Sequence, residues 1–224
     1  MAVSKMHPAA AFAEARQAGV ELFGENRVQE FQTKTLELLL LGIDTESRDR
    51  PAADAPEDRG FLAAEVHLIG PLQSNKSVKA ANLFHSVDTV DSLRLAARLE
   101  DAAAEVGKTL SILLEIKLSH EESKHGLLPE SRDLEILLDR LPDLPHLRMK
   151  GLMTVPPFFD DPEQARPYFR QLRQLRDQLA AAHPRLDFSE LSMGMTNDFA
   201  VAIEQGSSCV RIGTAIFGKR PKAA

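Results

Sequence analysis

Short apolar runs alternate with amphipathic segments along most of the chain, a rhythm typical of βαβ units that build a parallel sheet. The apolar runs predict eight strands, at residues 2–4, 20–23, 66–69, 85–87, 110–116, 149–154, 188–193 and 209–212. The amphipathic segments predict seven helices between them, at about 9–18, 25–41, 73–84, 92–106, 129–141, 162–182 and 197–204.

Eight strands with seven intervening helices favour a single-domain (β/α)8 barrel of the TIM type, in the α/β class. A doubly wound sheet usually has fewer strands and a phosphate loop directly after the first one. We therefore expect one domain over residues 1–224. The sequence predicts no helix to cover the seam between the last strand and the first, so we expect that seam to be exposed.

Residues 44–60 interrupt the rhythm with a stretch rich in Pro, Asp, Arg and Ala that has no apolar period. This composition is typical of a flexible surface insertion. A linker between two domains is the alternative, but the βα rhythm resumes at Phe61, which favours an insertion within one domain.

Composition narrows the classes of function. A formal net charge of −6, without clusters of Lys and Arg, argues against nucleic-acid binding. No apolar stretch approaches the roughly 20 residues that span a bilayer. The single cysteine, Cys209, suits a reducing compartment. We therefore expect a cytoplasmic protein without nucleic-acid or membrane partners.

Candidate chemistry lies at the carboxyl ends of the predicted strands, where barrels of this kind carry their active sites. Lys5 leaves the first strand at the mouth of the barrel, where partial desolvation would favour a neutral amine that can attack an aldehyde. From its position alone, an ordinary exposed lysine at a strand end is the simpler interpretation.

Two further strand ends are polar. Asn26 follows the second strand and could offer an amide to a ligand or simply cap the next helix. After the third strand, Gly70 and Pro71 predict a turn, and the sequence QSNK at 73–76 then opens a helix. Such a start suits an anionic or polar ligand, although a solvated helix N-terminus would look the same.

The loops after the last two predicted strands give the strongest signal. The segment LSMGMTND brings Ser192, Gly194 and Thr196 to one strand end, and VRIGTAIFG places Gly213 and Thr214 after the other. Phosphate sites in these barrels are frequently built from the loops after strands seven and eight. The two loops together indicate an anion site.

Arg211 lies within the last predicted strand, between two apolar residues. A buried arginine needs a partner to offset its desolvation. A ligand acceptor would serve, and so would an internal ion pair with an acid such as Glu115, so both interpretations stay open.

Taken together, these segments resemble the pyridoxal phosphate homeostasis proteins, relatives of the alanine racemase barrel domain. The resemblance is carried by AVSK at 2–5, FGENRVQE at 23–30, HLIGPLQSNK at 67–76, ESKHGL at 122–127, MKGLMTV at 149–155, LSMGMTNDF at 191–199 and VRIGTAIFG at 210–218. It implies a barrel of PLP fold type III that carries pyridoxal 5′-phosphate (PLP) as a Schiff base on Lys5. Members of that family also have a helix before the lysine strand, which we do not find in this sequence.

The resemblance also assigns roles to other residues. It places the phosphate on Ser192, Gly194, Gly213 and Thr214. It places Arg211 opposite the pyridine nitrogen, where a cation keeps that nitrogen unprotonated and weakens the ring as an electron sink. Further residues expected to line the pocket are Asn26, His67, Ile69, Asn75, Ser86, Met153 and Thr196.

The function implied by the resemblance is vitamin B6 homeostasis without conventional catalysis, with apo forms of PLP enzymes as candidate recipients of the cofactor. We expect a monomer or a weak dimer. Related racemases use a tyrosine base, whereas Tyr168 here falls within a predicted helix. The alternatives are a PLP-dependent amino-acid racemase and a barrel that binds phosphorylated ligands without aldehyde chemistry.

Overall fold

The computed structural model describes residues 1–45, 62–119, 121 and 125–219. Short 3-10 helices lie at Ser74–Lys76, Leu141–Asp143 and Pro162–Ala165. The other elements of the described residues are, in chain order, β1 (Ala2–Val3), α1 (Ala9–Gln17), β2 (Leu22–Glu25), α2 (Val28–Leu40), β3 (Ile43–Asp44), β4 (Leu62–Ala63), β5 (Glu65–Leu68), α3 (Ser77–Leu83), β6 (Ser86–Val90), α4 (Leu93–Glu105), β7 (Leu110–Glu115), α5 (Arg132–Arg140), β8 (Leu147–Met153), α6 (Arg166–Ala182), β9 (Glu190–Met195), α7 (Phe199–Glu204), β10 (Cys209–Arg211) and α8 (Thr214–Phe217).

Eight of the strands form one parallel sheet in the order β1-β2-β5-β6-β7-β8-β9-β10. The sheet closes on itself, because Ala2 forms a parallel bridge with Ile212. At this seam the Val3 amide donates to the Ile212 carbonyl at 2.8 Å, and the Ile212 amide donates to the Met1 carbonyl at 3.0 Å. The prediction of an eight-stranded single-domain α/β barrel is confirmed, and the seam between its first and last strands is joined by backbone hydrogen bonds.

The helices pack apolar stripes against the outside of the barrel. In α4, Leu95, Leu99 and Ala103 recur at helical spacing and are buried. Ser92 caps this helix by accepting a hydrogen bond from the Leu95 amide at 3.3 Å, which satisfies one free donor of the first turn. The same pattern of strand, cap and amphipathic helix explains why the sequence predicted most elements correctly.

Aromatic residues fill the layer between the barrel and its first helices. Phe12 of α1 stacks on Phe23 of β2 with ring centroids 3.7 Å apart. Phe31 of α2 meets Phe84 after α3, with centroids 5.0 Å apart. All four side chains are fully buried. This packing fixes β2 and the start of α2, and Asn26, which lies between these two elements, belongs to the site described below.

Some boundaries and elements differ from the prediction. Helix α2 begins at Val28 rather than at residue 25, because Glu25 still belongs to β2. The small parallel sheet of β3 and β4 and the four-residue helix α8 were not predicted. Asp44 lies in β3, whereas residues 46–60 of the predicted insertion lie outside the described residues. Across the described parts of the chain, no helix has the length and apolar character needed to cross a membrane.

Candidate functional site

A cavity of about 470 Å³ opens at the carboxyl ends of the barrel strands. Its size lies within the range of roughly 300–1,000 Å³ that is typical of small-molecule sites. Its wall is formed by residues from both ends of the chain and from the loops between them: Val3, Lys5, His7, Asn26, Ile69, Val155, Phe158, Met195, Thr196, Asn197, Asp198, Arg211, Gly213 and Thr214.

The structure brings together seven of the residues that the sequence singled out. Each lies within or just after a barrel strand, which places it at the mouth. These residues are Lys5, Asn26, Ile69, Thr196, Arg211, Gly213 and Thr214. An amine, a guanidinium and two hydroxyl groups therefore share one cavity. Thr214 also begins α8, and the first backbone amides of a helix lack acceptors within it.

Arg211 is buried at the edge of this cavity and is held by a fixed set of acceptors. Its Nη1 donates to the carbonyl oxygen of Ser192 at 2.7 Å and to the hydroxyl of the same residue at 2.8 Å. Its Nη2 donates to the carbonyl oxygen of Thr154 at 2.8 Å. Burial lowers the pKa of the guanidinium, an effect that nearby acidic groups, including Glu115, oppose. These three hydrogen bonds, rather than an ion pair with Glu115, fix Arg211 in place.

Six predicted site residues do not lie in the cavity wall: His67, Asn75, Ser86, Met153, Ser192 and Gly194. Ser192 is fully buried, and its hydroxyl is occupied by Arg211. Gly194 has φ +94°, and a Cβ at this position would lie 2.5 Å from the Cβ of Ala202 on α7. Ser192 thus anchors the Arg211 guanidinium, and Gly194 allows β9 to pack closely against α7. Their contact with a ligand stays a prediction.

His67 and Ser86 lie in the barrel interior within a polar network. His67 Nδ1 lies 3.1 Å from Asp88 Oδ2, and its Nε2 lies 2.9 Å from Glu65 Oε1. The Ser86 hydroxyl donates to the other Asp88 oxygen at 2.6 Å. Burial alone would lower the pKa of His67, but the two carboxylates outweigh it and raise the pKa to about 10. His67 is therefore a buried imidazolium paired with the buried Asp88 and with Glu65, whose side chain is half exposed.

The polar helix start at 73–76 belongs to a neighbouring cavity of about 700 Å³. Gln73 and Lys76 line that cavity, and Asn26 lines both cavities. Asn75 is exposed and lines neither. The predicted turn at Gly70 has a packing cause, because a Cβ there would lie 2.3 Å from the carbonyl oxygen of Asn26. Gly70 thus lets the chain after β5 approach the backbone of Asn26.

The sequence did not single out several residues of the wall, among them His7, Phe158 and Asp198. His7 is nearly buried, and its ring lies 5.3 Å from that of Phe217. Asp198 accepts a hydrogen bond from the Met195 amide at 2.6 Å and so shapes the loop after β9. His7 lies beyond β1, in the turn that carries Lys5, and Phe158 lies in a loop, so no periodic pattern in the sequence marks either residue.

Two comparisons decide the family. Residues 1–221 match the family described as alanine racemase, N-terminal domain. The pyridoxal phosphate homeostasis protein of Vibrio cholerae is 41% identical over 220 residues, which cover 98% of this chain and 84% of that relative. This chain belongs to the pyridoxal phosphate homeostasis protein family. The resemblance inferred from the sequence motifs is confirmed.

Solved structures agree on the fold of this family member. PipY of Synechococcus elongatus PCC7942, solved with PLP bound, is 37% identical and superposes with a TM-score of 0.81, covering 97% of this chain and 91% of its own. An alanine racemase of Clostridium difficile 630 superposes with a TM-score of 0.68 at 16% identity, over 99% of this chain and 52% of its own. The second likeness concerns the fold alone.

Proposed function

We propose that this protein binds pyridoxal 5′-phosphate (PLP) covalently through Lys5 and takes part in vitamin B6 homeostasis. One observation carries the proposal: Lys5, Arg211 and the loop residues Thr196, Gly213 and Thr214 line the same cavity. The cofactor supplies an aldehyde, an aromatic ring and a phosphate. The wall offers an amine, a cation and a cluster of hydroxyl and amide donors, so the donor set fits each part of the ligand.

The phosphate would be held by the loops after β9 and β10. Thr196 and Thr214 contribute hydroxyl groups. A Cβ on Gly213 would meet only Val3, with the nearest atom at 3.5 Å, so the space beside this backbone is not filled by other residues. An anion is favoured at backbone amides that point away from a helix start. The internal hydrogen bond between Asp198 and the Met195 amide keeps the first loop in shape. We also propose that Ser192 and Gly194 support this phosphate site.

Arg211 would face the pyridine nitrogen. Its guanidinium remains charged at physiological pH and has no acceptor atoms, so it can only donate to that nitrogen. The ring therefore stays unprotonated and is a weaker sink for electrons than a ring whose nitrogen carries a proton. This environment supports storage of the cofactor better than carbanion chemistry.

The position of the single tyrosine also supports a non-catalytic role. Tyr168 lies on α6 and packs on Phe159 with ring centroids 5.9 Å apart, and it is not part of the cavity wall. It cannot serve as the base that related racemases place at their cofactor. We therefore propose a monomeric or weakly dimeric cytoplasmic carrier that delivers PLP to apo forms of PLP enzymes.

The test is the absorption spectrum of the purified protein after addition of PLP and removal of excess ligand. We expect a band at the edge of the visible region that borohydride converts to a stable adduct, located on Lys5 by peptide mass spectrometry. Lys5→Ala should abolish the band and the adduct. Lys79→Ala is the matched control, because Lys79 is an exposed amine on α3 outside the cavity wall. A band that persists in Lys5→Ala would refute the assignment of Lys5.

A PLP-dependent amino-acid racemase is the second candidate, and His7 is the observation that favours it. His7 lines the cavity two residues after Lys5 and could accept a proton. Incubation of the PLP-loaded protein with a panel of amino acids in deuterium oxide separates the two candidates. Exchange at the α-carbon that disappears in His7→Gln would support the racemase, and the absence of exchange supports the carrier.

A further inference from the structure

The segment Ser4–His7, which carries Lys5, has an unusual backbone. Met6 has φ 62°, and it is the only residue other than glycine with a positive φ among the described residues. A non-glycine residue in this region is uncommon and persists only where the surroundings hold it. The His7 amide donates back to the Ser4 carbonyl at 3.1 Å, which closes a tight turn around Lys5. The direction of the Lys5 side chain depends on this turn.

A buried ion pair from the neighbouring elements holds the start of the turn. Lys34 of α2 donates to the Ser4 carbonyl at 3.0 Å and lies 2.5 Å from Glu25 of β2. The Ser4 hydroxyl donates to the same Glu25 oxygen at 2.8 Å. The side chains of Lys34 and Glu25 are 6% and 0% exposed. Two charges and a hydroxyl therefore converge, out of contact with water, on the residue that precedes Lys5.

The energetics make this arrangement informative. A buried ion pair is often no more stabilising than apolar side chains of the same size, because the charges lose their hydration. Here burial raises the pKa of Glu25 while Lys34 opposes it, and the second Glu25 oxygen is buried without a hydrogen-bond partner. The pair therefore contributes little to the stability of the core. What it does is hold the Ser4 carbonyl in a fixed position, because Lys34 donates a hydrogen bond to it.

A third side chain holds the middle of the turn. The Met6 amide donates a short hydrogen bond to Glu30 in the first turn of α2. Glu30 thus stabilises the left-handed conformation of Met6 directly. The three side chains come from β2 and α2 alone, and together they grip the residues on either side of Lys5.

We infer that Glu25, Lys34 and Glu30 are positioning residues that pre-orient the Lys5 amine for covalent capture of an aldehyde ligand. In that step the lone pair of Nζ attacks the carbonyl carbon, a carbon–nitrogen double bond forms, and the carbonyl oxygen leaves as water with the two amine protons. An amine that is already held in the orientation for attack reacts faster than one that must first find it. This inference rests on the proposed function and adds the residues that set its rate.

The first experiment uses Glu30, which is only partly buried, so its replacement should leave the fold intact. We expect Glu30→Ala to slow formation of the Lys5–PLP band, followed by stopped-flow absorbance, by on the order of tenfold to 10²-fold. Glu30→Gln keeps an oxygen acceptor for the Met6 amide and should recover most of the rate. Glu37→Ala, the same change at an exposed position of the same helix, should match the wild type.

A second readout separates positioning from a general structural defect. Pyridoxine 5′-phosphate has the ring and the phosphate but no aldehyde, so its affinity reports only the non-covalent contacts. We expect its dissociation constant to be unchanged in Glu30→Ala. Equal weakening of both ligands would overturn the inference, since the substitution would then disturb the whole cavity.

The buried pair is tested with Lys34→Met. If this variant fails to fold because Glu25 is left as an uncompensated charge, the neutral double variant Lys34→Met/Glu25→Gln takes its place. We expect slow capture of PLP with unchanged affinity for pyridoxine 5′-phosphate. Capture at the wild-type rate in the folded variants would overturn the inference. A wild-type protein without any borohydride-sensitive band would instead refute the proposed function itself.

Discussion

Protonation of His67 should give this barrel a stability that falls steeply at alkaline pH. Its imidazolium is buried and lies between the buried Asp88 and Glu65, whose side chain is 56% exposed, with a pKa of about 10 against the ordinary 6.5. The raised pKa means that the folded protein binds one more proton than the unfolded chain at every pH between these values. The resulting stabilisation is complete below pH 6.5 and is lost as the pH rises through 10.

The magnitude follows from proton linkage. Because the folded state binds one extra proton across this window, the free energy of unfolding falls by about 1.4 kcal/mol for each unit by which the pH rises. Summed from pH 6.5 to 10, the contribution of His67 is on the order of 4–5 kcal/mol. That sum is a large share of the about 5–15 kcal/mol that keeps an ordinary domain folded.

The assay is urea unfolding at pH 7.5, 8.5 and 9.5, followed by far-UV circular dichroism because the protein contains no tryptophan. The reference is the double variant His67→Gln/Asp88→Asn, which replaces the ion pair with a neutral hydrogen bond. We expect the stability of the wild type to fall about 1.4 kcal/mol per pH unit more steeply than that of the reference. Equal slopes would refute a charged His67 in the folded state.

Three further predictions concern backbone packing and Arg211. Gly70→Ala should displace Asn26, since the new Cβ would lie 2.3 Å from its carbonyl oxygen, and we expect roughly tenfold weaker binding of PLP by equilibrium dialysis. Gly151→Ala places a Cβ 1.9 Å from a carbonyl of β9 and should destabilise the fold by about 3 kcal/mol or more in urea unfolding. Its control is Gly19→Ala, which has nothing within 4 Å and should lose only the about 1–2 kcal/mol of an unfavourable φ. Arg211→Lys replaces two donor nitrogens, one bonded to Ser192 and one to Thr154, with a single ammonium on a shorter side chain, so we expect a loss of about 1–3 kcal/mol and a Tm that PLP restores only partly.

The barrel could be predicted because its strands are apolar runs separated by amphipathic helices. Strand β6 illustrates this, since all five of its residues are buried, as expected for a parallel strand covered on both faces. Helix α8 was missed because four residues carry no helical period. The sheet of β3 and β4 was missed because each strand has only two residues, and because a stretch without apolar pattern separates the two strands in the sequence.

The site was predicted in part, and the limit lies in side-chain direction. Lys5, Gly213 and Thr214 could be placed at the mouth because strand ends mark one face of a barrel. The sequence motif LSMGMTND was identified, yet Ser192 is buried outside the cavity wall and is hydrogen-bonded to Arg211, while Thr196 lines the cavity. The network of Glu25, Lys34 and Glu30 could not be anticipated, because it depends on how α2 packs against the turn around Lys5.

Closure of the barrel between Ala2 and Ile212 has a consequence for biosynthesis. A nascent chain emerging from the ribosome presents Lys5 long before the loops proposed to hold the phosphate, because the other barrel strands lie between them in the sequence. Cofactor capture must therefore wait until synthesis of these segments is complete, and a partially made chain offers no competent pocket. The pocket also depends on the same backbone seam, because Val3 on one side of the seam and Arg211 on the other both line it.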